Sequence, residues 1–161
     1  SLFNPTDNSI TNTVFQNING YALGDVLQSI TEYNGHLFAV VNNSGKIEVL
    51  DTATYQKTAT INGLTSPRYF CGINNSKAYV SDLFSDQIAI LDLENNSVIG
   101  NIIAGGWTEE MLLFQDRVYV CRPDTNFILQ INANTNIITD TIVVGKGPAS
   151  LVLDNNNKLW E

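Results

Sequence analysis

The chain has 161 residues, 43% of them hydrophobic, enough to fold around an ordinary core. Eight Lys and Arg against sixteen Asp and Glu leave a net charge of −8, which argues against binding a nucleic-acid backbone or an anionic lipid surface, because both call for clustered positive charge. No apolar run approaches the roughly eighteen residues of a membrane span, and no charged-then-apolar leader opens the sequence.

In chain order, residues 1–15 read as two short strands, with Asn8-Ser9-Ile10 resembling Asn96-Ser97-Val98 farther on. Three longer units follow, at 27–62, 68–103 and 109–144, and residues 149–161 repeat only the first half of such a unit. The middle unit shows the pattern best. Tyr69–Ile73, Ala78–Ser81, Gln87–Leu91 and Ser97–Ile103 are rich in β-branched and aromatic residues, as strands prefer. Asn74-Asn75-Ser76, Phe84-Ser85-Asp86 and Glu94-Asn95-Asn96 break the runs.

Landmarks recur at 40 or 41 residues: Tyr79 as Tyr119 and Trp160, Asp92 as Asp51 and Asn132, Ile102 as Ile61 and Ile142. Four short strands on that period are the signature of propeller blades. The expected fold is therefore all-β, a β-propeller of four-stranded antiparallel blades with three complete blades and two half blades. No 3.6-residue apolar period occurs, so no helix is expected. Both ends fall inside a blade, which predicts either a piece of a larger ring or, less favoured, a closed four-blade unit. A partial ring would expose strand edges and blade faces and invite self-association.

The remaining signals are mostly structural. Asp51, Asp92 and Asn132 end third strands, where a side-chain oxygen can cap the following turn. Cys71 falls in an apolar stretch and reads as a small buried hydrophobe; Cys121 occupies a different repeat position, so a bridge between them is not expected. The 21 Asn residues gather in turns, and the N-x-S matches at Asn42, Asn74 and Asn95 follow from that abundance. His36, the lone histidine, aligns with Lys77, Arg117 and Lys158 and reads as a solvated turn residue. Without a second histidine, neither a Ser-His-Asp triad nor a His-rich metal site can be assembled. Glu109 and Glu110 are adjacent and should point apart, which does not suit paired acid–base chemistry. Gly145-Lys146-Gly147-Pro148 lacks the flanks of a phosphate loop. No catalytic residue, metal ligand or cofactor is assigned.

The string AYVSDLFSDQIAILDLENNSVIGNIIAGG (78–106), with Tyr79-Val80-Ser81-Asp82 at its head, resembles the YVTN-type β-propeller repeat. Ile142-Val143-Val144-Gly145 with Gly147-Pro148 resembles that repeat's closing turn. The segments Gly24-Asp25-Val26, 42–49 and 64–69 are similar to surface lipoprotein propellers of gut bacteria. Known members of that group have seven blades and capture cobalamin for a TonB-dependent outer-membrane transporter. The resemblance thus implies a secreted or outer-membrane, surface-exposed module without catalysis. Further blades, an export signal and a lipid-attachment cysteine would lie outside these residues. Propellers host many activities, so fold alone does not choose among them.

Turns divide into two sets because successive hairpins alternate between the faces of a propeller. One set is bland and alike from blade to blade. The other joins second to third strands and blade to blade, and carries Asp25, Arg68, Tyr69, Phe84, Trp107, Glu109, Arg122 and Phe127. Aromatic and Arg side chains at that density are what binding surfaces concentrate. Trp107 and Phe84 have an alternative use as plugs between blades. The expected function is capture of a small polar ligand on this face, with cobalamin or another corrinoid as the candidate. The alternatives are a protein-interaction scaffold on the cell surface and a lactonase- or lyase-type enzyme.

Overall fold

The structure, a computed structural model, describes residues 1–161. It contains three four-stranded antiparallel sheets and two two-stranded ones. The first pair is β1 (Leu2–Asn4) with β2 (Ser9–Thr11). Blade 1 is β3 (Leu27–Tyr33), β4 (His36–Val41), β5 (Lys46–Asp51) and β6 (Lys57–Ile61). Blade 2 is β7 (Pro67–Asn74), β8 (Lys77–Asp82), β9 (Gln87–Asp92) and β10 (Ser97–Ile103). Blade 3 is β11 (Met111–Phe114), β12 (Arg117–Arg122), β13 (Phe127–Asn132) and β14 (Ile137–Val143). The last pair is β15 (Val152–Leu153) with β16 (Leu159–Trp160). In every blade spatial order follows chain order, and the first strands β3, β7 and β11 meet one another across the sheets. This is the propeller arrangement, with first strands innermost.

One element departs from expectation. Val14–Asn19 forms a six-residue helix, α1. Its sequence has no helical period, and tertiary contacts hold it. The Asn19 side chain donates to the carbonyls of Phe15 (3.0 Å) and Tyr55 (3.1 Å) and accepts from the Lys57 N–H (2.8 Å). Phe15 meets Tyr21 edge-on at 5.1 Å. Gly20, with φ of 79°, ends the turn in a conformation glycine adopts without strain. No helix is long and apolar enough to cross a membrane.

The core lies between sheets. Successive strand residues face opposite neighbours, so Phe38, Val40, Ile47 and Val49 of blade 1 pack on Phe70, Ala78, Val80 and Leu91 of blade 2. From the other face of blade 2, Cys71, Tyr79, Ile88 and Ile90 pack on Val118, Val120, Leu129 and Ile131 of blade 3. Cys121 and Ile128 then face Leu151 and Leu159. The two cysteines sit in separate layers and are free, and burial pushes both thiols up to about 12.

Turn caps follow the repeat. Asp92 Oδ1 accepts from the N–H groups of Glu94 (2.8 Å) and Asn95 (3.2 Å), and Asn132 Oδ1 from those of Asn134 (2.9 Å) and Thr135 (3.0 Å). Asp51 does the same for Ala53 and Thr54. The two turn sets also separate: Asn34 reaches Asn75 on one face, while Gly45 bonds Leu64 on the other.

Candidate functional site

The blade-linking face is organised by residues at the end of each second strand. Asn42 donates to Ser66 Oγ (2.9 Å) and the Pro67 carbonyl (3.0 Å). Asp82, one repeat later, accepts the Ser66 N–H (2.7 Å) and also caps Phe84 and Ser85. Thr108 exchanges two hydrogen bonds with the Asp82 backbone. These contacts fix the linkers that enter β7 and β11.

Beside those linkers, equivalent positions at or just before the three inner strands converge. Arg68 Nε donates to Glu109 Oε1 at 2.7 Å, and Arg68 Nη1 donates to Gln28 Oε1 at 2.6 Å. The indole N–H of Trp107 reaches the same Glu109 oxygen at 2.6 Å. Gln28 and Arg68 are 40 residues apart, and Arg68 and Glu109 are 41 apart, so one repeat position delivers all three. Glu109 is 5% exposed; a carboxylate there is tolerable only because it is paired and doubly hydrogen-bonded. Arg68 Nη2, Gln28 Nε2 and Glu109 Oε2 make no bond within the chain, yet no buried side-chain polar atom lacks a partner. Those three groups therefore reach solvent. The result is a near-neutral rim offering two donors and an acceptor beside an aromatic ring.

Of the eight residues expected on this face, the structure joins Arg68, Trp107 and Glu109 into one cluster. Tyr69 is next to it in β7, half-buried, its N–H on Ser81 Oγ at 3.0 Å. Phe84 is 78% exposed at the tip of the β8–β9 turn and so plugs no gap. Asp25 lies apart, accepting from the Val26 N–H (2.7 Å) and Ser44 Oγ (3.0 Å), and the Val26 bond chiefly holds its carboxyl below the usual value. Arg122 is buried and spends its donors within the chain, on the carbonyls of Ala104 and Gly105 and on Asp124. Phe127 lies under it, 5.4 Å from guanidinium to ring centre. Arg122 is thus a staple between blade 3 and its entering linker.

Glu109 and Glu110 do point apart: Glu110 Oε2 accepts the Leu151 N–H at 3.2 Å. Gln28 was not among the expected residues, and only its offset from Arg68 marks it. On the same face a depression of about 160 Å³ opens between blades 1 and 2, lined by Leu64, Thr65, Ser85 and Gln87 among others.

A family model described as "Domain of unknown function (DUF5074)" matches residues 1–161. No curated protein matches the chain. Among solved structures, hydrazine synthase of Kuenenia stuttgartiensis superposes with a TM-score of 0.74 at 19% identity, covering 88% of this chain and 44% of that one. AztD from Citrobacter koseri gives 0.61 at 14% identity, covering 71% and 34%. The WD40 β-propeller domain of Doa1 gives 0.67 at 12% identity, covering 81% and 44%. At such identities the likeness shows the fold alone, and this chain spans less than half the length of each of these proteins.

Proposed function

This chain belongs to the DUF5074 domain family, and we propose that it is a binding module that captures a small polar ligand at the rim formed by Gln28, Arg68, Trp107 and Glu109. The observation that carries the reading is the doubly bonded Glu109 carboxylate. It holds Arg68 and Trp107 in place before any ligand arrives, while leaving one donor on Arg68 and one on Gln28 facing solvent. Preorganised side chains lose little entropy on binding. Support for a binder over an enzyme comes from geometry: the lone imidazole, His36, opens β4 at the opposite face from these carboxylates.

Cobalamin, or another corrinoid, is the ligand proposed. It is a large ring fringed with amides, which can both accept from Arg68 and Gln28 and donate to Glu109, and its flat surface suits an indole. The likeness to YVTN-type repeats and to cobalamin-capturing lipoproteins supports this choice. It also supports a surface-exposed location beside a TonB-dependent transporter. Calorimetry of the chain with cobalamin is expected to show saturable heat, accompanied by fluorescence quenching that disappears in Trp107→Phe. Arg68→Ala should weaken binding by about tenfold or more. Absence of both heat and quenching would end the corrinoid reading. The second reading is a protein-interaction scaffold. It is favoured by Phe84, whose ring stands almost free in solvent on the same face and would serve as an anchor for a partner.

A further inference from the structure

On the face opposite the rim, two equivalent crevices between blades differ in a way that defines a ligand. Between blades 2 and 3, Lys77 crosses the gap. Its Nζ donates to the Ala133 carbonyl and to Asn136 Oδ1, and the Tyr79 hydroxyl donates to the same Asn136 oxygen at 2.5 Å. The ammonium also lies 5.8 Å from the centre of the Tyr79 ring. Lys77 is therefore a clasp, and the expectation of a solvated basic position does not hold for it.

One repeat earlier, between blades 1 and 2, the clasp is missing. His36 stands for Lys77, Phe38 for Tyr79, Leu93 for Ala133 and Asn96 for Asn136. Asn96 and Asn136 share the left-handed backbone, with φ of 49° and 59°, so the two turns present their side chains alike. The shorter imidazole and the ring without a hydroxyl leave a cavity of about 150 Å³, lined by His36, Phe38, Leu93 and Asn96 with Tyr33 and Asn75. That is room for more than one water, and so for a small molecule. The Asn96 carboxamide makes no bond, and the Leu93 carbonyl accepts none. Both acceptors that hold an ammonium and a hydroxyl in the neighbouring crevice are thus present here without their donors.

We propose that this cavity is a second binding site, for a small primary ammonium compound that also carries a hydroxyl group. The ligand's ammonium takes the place of Lys77 Nζ, bridging the Leu93 carbonyl and Asn96 Oδ1, and its hydroxyl takes the place of the Tyr79 hydroxyl. Phe38 supplies a flat apolar wall, stacked on Phe70 at 4.0 Å and 13°. A net charge of −8 favours a cation in the surrounding field.

The test uses the lone histidine as reporter. Its ring proton signals are followed by NMR while the chain is titrated with ethanolamine, with choline (a cation without N–H donors) and with ethylene glycol. Ethanolamine is expected to give a saturable shift that choline and glycol do not. Asn96→Leu should weaken ethanolamine binding by about tenfold or more, as the loss of a hydrogen bond to a charged group requires. Phe38→Tyr, which supplies the hydroxyl from within, should weaken it as well. Thermal melts establish that each variant is folded. An unshifted His36 signal, an equal response to all three compounds, or undiminished binding in a folded Asn96→Leu variant would overturn the proposal. None of these outcomes bears on cobalamin at the opposite rim.

Discussion

Three residues at one repeat position, Asp51, Asp92 and Asn132, do the same work with different charge. Each accepts two backbone N–H groups at the turn after its third strand. For Asp92 the Asn95 side chain, then the Asn95 N–H, hold the carboxyl below its ordinary value of 3.8; for Asp51 the Thr54 hydroxyl and N–H do so. A depressed folded value means the ionised form is preferred in the native state. Its stabilisation is therefore complete above the ordinary value and is lost as pH falls through the depressed one. Melting temperature should accordingly decline as pH drops below about 4. Asn132 is the internal control, because it keeps the cap without titrating. Asp92→Asn should melt near wild type at neutral pH and lose less on acidification, whereas Asp92→Ala should melt lower throughout. A steeper acid loss in Asp92→Asn would contradict this assignment.

Elements were legible in the sequence to the extent that their signals are local. β8, β9 and β10 fall within a residue of the runs read from Ala78, Gln87 and Ser97, because alternation and turn residues act over a few positions. Helix α1 was not, since contacts distant in sequence hold it, among them Asn19 reaching Tyr55 and Lys57. The site was half legible for the same reason. Arg68, Trp107 and Glu109 are conspicuous by type, but Gln28 has no local signal and joins them only through the repeat offset. Departure from the repeat also proved to be no guarantee of availability, as Arg122 shows. Its guanidinium ties β12 to the carbonyls of Ala104 and Gly105 while only 4% of the residue is exposed. Arg122→Met should therefore cost about 2 kcal/mol of stability in urea unfolding, the penalty for orphaning buried carbonyls. Ligand binding at Arg68 should weaken as well, because the stapled linker carries Trp107 and Glu109, and the Glu109 N–H bonds the Cys121 carbonyl beside Arg122 at 3.1 Å. A neutral effect on stability would mean that the linker is held by Thr108 and Asp82 instead.

At the scale of the molecule, every apolar layer is shared between two sheets, so each blade is stabilised by its neighbour more than by itself. The same logic governs the sheet faces that no blade covers. On blade 1, Leu27, Leu37 and Leu50 line a mostly apolar cavity of about 150 Å³ that the segment of β1 and α1 covers only in part, and Ile30 beside them is 57% exposed. At the other end of the array Trp160 is 61% exposed and Val152 nearly as much. Blade faces are built to receive another blade, and a second copy of this chain offers one. Sedimentation velocity should therefore show a coefficient that rises with protein concentration. Burying one such side chain is worth about 2 kcal/mol, so Ile30→Lys or Trp160→Lys should each weaken association by about tenfold or more. Neither residue touches the Arg68 rim, so cobalamin binding should survive in both variants. A single species across the whole concentration range, unchanged by either substitution, would show that β1, α1 and β16 shield these faces well enough to keep copies apart.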